Sequence, residues 1–115
     1  MTLEQREDLD NRYMEVILER ISNRSEQPLT QARPPEKRFV GSCRDYALVL
    51  CSILRHKGIP ARLRCGFDHY FNVKPDLYDD HWVCEYRDEK GVRWKLVDAN
   101  VDHIVKEKYK SLLIR

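Results

Sequence analysis

Three side chains in this sequence could together perform covalent catalysis. Cys43 lies at the start of the strongest helical pattern in the chain, and His81 and Asp98 follow on two strand-like segments. Unpaired N–H groups and the positive end of the dipole at a helix N-terminus favour thiolate over thiol. A nearby imidazole can take the thiol proton, and a carboxylate can orient the ring. The sequence therefore predicts Cys43 as nucleophile, His81 as base and Asp98 as orienting acid.

The spacing of a predicted hairpin brings the last two of these residues together. If residues 88–91 form a turn of even length, then His81 faces Asp98 across the strand pair. Directly opposed side chains have Cβ atoms about 4.5–5.5 Å apart, within reach of an imidazole–carboxylate hydrogen bond. A turn of odd length would put the two residues out of register. The same register places three further side chains on the face expected to pack against the Cys43 helix: Val83, Leu96 and Trp94.

The hydrophobic pattern predicts the elements that position these residues. Apolar residues at helical spacing indicate an amphipathic helix at about residues 3–24, and a Pro-rich connector follows to residue 38. A central buried helix begins after Ser42 and ends at Gly58, with Asp45 in its first turn. Three strands are expected at residues 61–67, 81–87 and 92–98, a polar and aromatic loop spans residues 68–80, and residues 103–115 fit no element clearly.

Composition restricts the class of protein. The chain has 115 residues, and its 21 basic and 19 acidic side chains leave a net charge of +2. This balance gives no electrostatic case for binding nucleic acid or an anionic membrane. No signal-peptide pattern or run of about 20 apolar residues is present in the printed sequence. We therefore expect a cytoplasmic protein, with neither a nucleic acid nor a membrane as partner.

Several blocks of this sequence resemble the transglutaminase-like core. They cover about residues 39–100 and consist of Gly41-Ser42-Cys43-Arg44-Asp45-Tyr46-Ala47, Leu54-Arg55, Gly58-Ile59-Pro60-Ala61-Arg62, His81 with Glu85, and Trp94 with Leu96-Val97-Asp98. The resemblance implies an α+β, papain-like fold in which a nucleophile-bearing central helix packs on an antiparallel β-sheet. In addition to the N-terminal helix and connector at residues 1–38, it implies a catalytic core at residues 39–115, which the apolar C-terminal end suggests is cut short. It assigns the same catalytic roles to Cys43, His81 and Asp98.

The expected activity is acyl transfer on a peptide or protein amide through a thioester, without a cofactor or metal. Hydrolysis is favoured over transamidation, since cross-linking needs a second site that a chain of this size barely accommodates. The alternative is a catalytically inactive module that binds a peptide or protein in the same cleft. A side-chain oxyanion donor is not evident, and Gln31 and Arg38 are the candidates.

The remaining cysteines and histidines have simpler interpretations. Cys51, Cys65 and Cys84 are expected to be small packed hydrophobic residues, with all four cysteines as free thiols. A zinc site would need Cys43, Cys65, His69 and His81, whose spacing matches no recognised pattern. We therefore expect Cys43 to be the one cysteine with a chemical role.

Overall fold

A computed structural model of the chain describes residues 1–68, 79–88, 90–91 and 93–100. These residues form three α-helices, a short 3₁₀-helix and three β-strands, in an α+β arrangement. The helices are α1 (Leu3–Asp8), α2 (Met14–Arg24) and α3 (Cys43–His56), and the strands are β1 (Ala61–Asp68), β2 (Asp79–Arg87) and β3 (Trp94–Val97). The strands form one antiparallel sheet in the order β1-β2-β3, which confirms the expected fold class.

The core lies where α3 packs against β1 and β2. Cys51, Ala61 and Cys84 are buried there. Their partly buried neighbours from the helix and all three strands are Leu50, Leu54, Leu63, Tyr86 and Val97. Cys51 and Cys84 are therefore core residues, as predicted. Cys65 is exposed instead, two residues past Leu63 on an edge strand, so that part of the prediction is wrong.

The N-terminal segment is helical, but it forms two helices instead of the single helix predicted at residues 3–24. The break lies at residues 9–13, where the side-chain oxygen of Asn11 accepts from the Tyr13 amide at 3.1 Å. The break lets α2 turn back along α1, so that Asp8 meets Arg24 in an ion pair at 2.7 Å. A continuous helix would keep these two residues about 24 Å apart, because each residue advances the axis by 1.5 Å.

α3 ends as the sequence predicts. Gly58 has φ 81°, the left-handed conformation that closes a helix. The Gly58 amide donates to the Arg55 carbonyl and the Ile59 amide to the Leu54 carbonyl, both at 3.0 Å. These two bonds form a Schellman motif, after which Pro60 leads directly into β1.

Replacing Gly58 with alanine is expected to lower the free energy of unfolding by about 1 kcal/mol, because a Cβ disfavours positive φ. Urea denaturation of the variant measures this change. Gly66→Ala is the matched control: Gly66 lies within β1, and in the described part of the chain a Cβ there meets no atom within 4 Å. If both substitutions lower the free energy of unfolding by the same amount, the positive φ of Gly58 is not the cause.

The hairpin register differs from the predicted one by two residues. Arg87 pairs with Trp94 and Cys84 with Val97, so the connection spans residues 88–93 and not 88–91. Within it, the Gly91 amide donates to the Asp88 carbonyl at 3.1 Å. The Asp88 carboxylate also binds Lys95 at 2.6 Å, which ties the longer connection to β3. The connection still has an even number of residues. Side chains of β2 and β3 that were predicted to share a face of the sheet therefore still share one.

The face assigned to the helix is the wrong one. Cys84, Tyr86 and Val97 pack toward α3, while Leu96 is 60% exposed and Trp94 37% exposed on the opposite side. Val83 shares the row of Glu85 on that opposite side by strand alternation. The reason is the Glu85 carboxylate, which would be desolvated and unpaired against the apolar helix.

On the outer face of the sheet, Glu85 has two cationic partners. Arg62 on β1 binds it at 2.6 Å, and Arg64 also donates to it. Hydrogen bonds from Arg64 and Arg62 hold the pKa of Glu85 below its usual range. Arg62 also stacks over the Trp94 ring at 3.9 Å, which joins β1 to β3 across this face. Polar contacts therefore determine which side of the sheet α3 covers.

Candidate functional site

The central contact of the candidate site joins His81 to Asp98. Nε2 of His81 lies 2.6 Å from Oδ2 of Asp98, and their side chains are 7% and 16% exposed. The two residues are not directly opposed, because continuing the observed register would put Asp98 opposite Val83. They are diagonal neighbours, which long side chains can bridge. The predicted pairing is therefore present, although the predicted register is not.

Asp98 follows directly after β3 and is fixed on both oxygens. Its Oδ1 accepts from the Asn100 amide at 2.9 Å, the local bond of an Asx turn, while Oδ2 meets His81. An ionised carboxylate only accepts hydrogen bonds, so contact with an ionised Asp98 requires the tautomer of His81 that carries its proton on Nε2. In the neutral ring the lone pair then resides on Nδ1, which is the nitrogen able to take a proton from a thiol.

Cys43 is the first residue of α3 and is partly exposed. It stands on the helical stripe of Ala47, Cys51 and Leu54, at offsets of 4, 8 and 11 residues that keep one side of a helix. Cys51 and Leu54 belong to the core cluster against the sheet. Cys43 therefore projects from the sheet-facing side of α3 at the end where the helix begins.

The topology brings this end of α3 to the same end of the domain as His81. Cys51 contacts Cys84 in the core. Cys43 lies about 12 Å up the helix from Cys51, and His81 lies about 10 Å along β2 from Cys84. The direction from Cys51 to Cys43 and the direction from Cys84 to His81 both lead away from Pro60. The Pro60 carbonyl lies at the opposite end, where it accepts from the Arg87 amide at 3.0 Å. By strand alternation His81 belongs to the row of β2 that faces away from α3, so Cys43 and His81 share an end of the domain but start from opposite faces of the sheet.

The start of α3 is held by a short-range cap. The Asp45 carboxylate accepts from the Ser42 amide at 2.8 Å and from its hydroxyl at 3.3 Å. A Cβ on Gly41 would lie only 2.8 Å from Cβ of Asp45, so this close approach requires glycine. The amides of the first turn, including that of Cys43, have no acceptor within the helix and can bind an anionic oxygen.

Sequence reasoning missed the residues that hold the segment leading to Cys43. Asp8 is completely buried and accepts from the Val40 amide at 3.0 Å, while Gln5 donates to the Pro35 and Arg38 carbonyls at 2.8 and 2.9 Å. A buried acid among charged N-terminal residues gives no periodic signal, so only its partners reveal it. α1 therefore positions the extended segment that leads into α3.

Asp8 is also paired with two arginines of α2. Arg24 binds both of its oxygens at 2.7 Å, and Arg20 binds Oδ1 at 3.2 Å. Burial alone would raise the pKa of Asp8, but the hydrogen bonds from Arg24, the Val40 amide and Arg20 hold it below its usual range. Asp8 in turn raises the pKa of Arg24.

The remaining candidates do not assemble at this site. Arg38 uses Nε to bind the Arg33 carbonyl at 2.7 Å, and Gln31 is exposed. Burial raises the pKa of the Cys84 thiol to about 11, with Cys51 adding to the effect, so Cys84 is unreactive. Among the described residues no group of His, Cys, Asp and Glu could hold a metal ion; His69, residues 69–78 of the predicted loop and the segment 103–115 lie outside them.

Comparison with known proteins identifies a family. The model of the transglutaminase-like superfamily matches residues 7–99, a range that includes α2, α3 and all three strands. No curated protein and no solved structure matches the chain. Within the part of the chain that the structure describes, no helix is long and apolar enough to cross a membrane. Members of this superfamily are commonly cysteine enzymes. The chain belongs to the transglutaminase-like superfamily.

Proposed function

We propose that this protein catalyses cysteine-dependent acyl transfer on amide or peptide bonds, with Cys43 as nucleophile, His81 as base and Asp98 as orienting acid. The observation that carries the proposal is the 2.6 Å contact between His81 and Asp98, at the end of the sheet where α3 begins with Cys43. A histidine held by a carboxylate and a partly exposed thiol at a helix N-terminus are the groups from which an activated nucleophile can be built.

The reaction then follows from the positions of the three groups. Nδ1 of His81 takes the proton of Cys43, and the thiolate attacks the carbonyl carbon of the substrate amide. The oxygen that becomes negative is stabilised by N–H groups of the first turn of α3. When the C–N bond breaks, the imidazolium returns its proton to the departing amine, which leaves a thioester on Cys43. Asp98 stabilises the imidazolium during this step.

Water resolves the thioester in the proposed reaction. Cys43 is partly exposed, so water can reach the acyl carbon. His81 accepts a proton from the attacking water, and the thiolate leaves as the acid product departs. We propose hydrolysis over transfer to an amine because transfer needs a second binding site for the amine. The proposed substrate is a peptide or protein amide whose carbonyl group can reach Cys43 at the end of the sheet.

The test compares two cysteines of the same molecule. Cys65 is exposed and lies within β1, so it is not part of a helix, whereas Cys43 is the first residue of α3 and only partly exposed. At about pH 6, where an ordinary thiol with a pKa near 8.5 is almost fully protonated, iodoacetamide is expected to label Cys43 at least about tenfold faster than Cys65. Peptide mass spectrometry after timed quenching measures both rates.

The same comparison in His81→Ala supplies the control. The advantage of Cys43 is expected to disappear in this variant, while Cys65 is labelled at an unchanged rate. If accessibility alone governs reactivity, Cys65 reacts first in both proteins. That result contradicts the catalytic proposal and leaves a peptide-binding module as the function of the domain.

A further inference from the structure

An apolar groove runs along the side of α3 that faces α2. Its volume is about 290 Å³, and α2 contributes Ile17 and Ile21 to its wall. The other lining residues include Phe39, Tyr46, Val49 and Ile53, and Ala99 closes one end. Tyr46 and Ile53 remain 47% and 44% exposed at its rim. The groove is therefore an open apolar surface and not a filled core.

One charged atom interrupts the apolar wall of this groove. Asp45 is 3% exposed and lines the groove. Its Oδ2 is used by Ser42 in the helix cap, but its Oδ1 is buried and has no hydrogen-bond partner in the described structure. A buried carboxylate oxygen without a partner is unfavourable, because the cost of removing it from water is not recovered. A ligand that brings a donor to this atom would recover that energy.

The acid of this groove lies on a different side of α3 from the nucleophile. Asp45, Val49 and Ile53 form a stripe with spacing of four residues, which keeps one helical face. Cys43 belongs to the stripe of Ala47 and Cys51, which faces the sheet. Successive helical residues are about 100° apart, so Asp45 is about 160° from Cys43 around the axis. The carboxylate of Asp45 and the thiol of Cys43 therefore point to different sides of α3, although Leu50, two turns along the helix from Cys43, also lines the groove.

We infer that the groove between α2 and α3 binds an apolar ring or chain that ends in a cationic nitrogen, with the nitrogen paired to Oδ1 of Asp45. The apolar wall accepts the hydrocarbon part of the ligand, and charge complementarity at its polar end selects a cation over a neutral or anionic group. A nitrogen held as ammonium has no lone pair for attack on an acyl group, so the ligand is bound and is not a reactant.

The test uses a pair of probes that share an apolar body and differ in the terminal group, which is cationic in one and neutral in the other. Phenethylammonium and phenethyl alcohol share an apolar body, and each presents a donor to Asp45. The full chain is titrated with each probe by NMR, following amide signals of α2 and α3. The ammonium is expected to bind at least about tenfold more tightly, because charge-assisted hydrogen bonds are about twice as strong as neutral ones.

Two variants separate the charge from the cavity. Asp45→Asn keeps the size of the side chain and is expected to bring the two affinities within about twofold of each other. Val49→Trp fills the groove and is expected to weaken both probes together, with Asp45 intact. Asp10→Asn removes an exposed acid and is expected to change neither affinity. The Val49 variant keeps the test decisive if Asp45→Asn unfolds.

Equal affinity of the wild-type protein for the two probes would overturn the inference, as would a Val49→Trp variant that binds like wild type. Binding is measured without an acyl donor, so the outcome is independent of the reactivity of Cys43. If the thiol of Cys43 is unreactive but the protein still selects the ammonium, the groove site stands and the proposed catalysis is rejected. If the thiol of Cys43 is reactive but the two probes bind equally well, only the groove site is rejected.

Discussion

Replacing Asp98 with asparagine is expected to slow acylation of Cys43 by about 10²–10⁴-fold, the range that a positioned acid–base group contributes. The amide keeps the size of the side chain, but it no longer stabilises an imidazolium 2.6 Å away. The measurement is the burst of nitrophenol from a 4-nitrophenyl ester, with the acylated cysteine identified by peptide mass spectrometry. Asp80→Asn is the matched control, because Asp80 is exposed near the start of β2. Its burst should match that of wild type.

A double variant tests whether His81 and Asp98 act as one unit. His81→Ala alone is expected to slow the acylation of Cys43 at least as much as Asp98→Asn does, since Asp98 acts through the imidazole ring of His81. The combined variant should then be no slower than His81→Ala, because residues of one catalytic unit are not additive. Independent losses that multiply in the double variant would contradict the proposed relay from Asp98 through His81 to Cys43.

The largest expected effect on stability belongs to Asp8. Asp8→Ala removes a completely buried carboxylate and leaves the Arg24 guanidinium, which is only 8% exposed, with the Arg38 carbonyl and the exposed Glu4 as its remaining partners. Breaking a buried ion pair from one side costs about 3–5 kcal/mol, so we expect a loss of about this size in the free energy of unfolding. Urea denaturation at neutral pH measures it.

Glu7 provides the matched control for this substitution. It is the neighbouring acid, approaches the same Arg20 at 4.0 Å and is 70% exposed, so Glu7→Ala should cost less than about 1 kcal/mol. The two substitutions remove like charges from adjacent positions of α1. Equal losses would show that net charge, and not the buried contact, determines the effect.

Acid should reduce the difference between Asp8→Ala and wild type. Asp8 has a folded-state pKa below its ordinary value of 3.8, so its contribution is fully present above that value. The contribution is lost as the pH falls through the lower folded-state pKa, where the native carboxylate also becomes protonated. Unfolding measured at about pH 3 should therefore show a smaller difference than at pH 7. A difference that grows with acid would contradict the sign of the shift.

Local signals were sufficient for α3. Asp45 caps its first turn through Ser42, and Gly58 closes its last turn with a positive φ, so both ends follow from residues within a few positions of each other. These interactions are available from the sequence because the partners are close along the chain. The same holds for the alternation that predicted β1 and β2.

Non-local partners decided the features that were predicted wrongly. The break in the N-terminal helix follows from Asp8, whose partners Arg24 and Val40 are 16 and 32 residues away. The face of the sheet that α3 covers follows from Glu85, whose charge is neutralised by Arg62 and Arg64 of another strand. Hydrophobic pattern alone cannot choose between two faces when the deciding contact joins distant charged groups.

The sequence by itself determined the residue types of the candidate site and the helix that begins at Cys43, and it predicted the His81–Asp98 pairing on the condition that the turn between β2 and β3 has an even length. Even length was enough to put His81 and Asp98 on one face, because side chains alternate with a period of two residues. Only the tertiary structure decided that they meet diagonally, since Asp88 and Lys95 hold a longer connection and shift the register by two. It also decided that Asp45 keeps one oxygen unpaired beside an apolar groove, because α2 packs there and supplies no donor among the described residues.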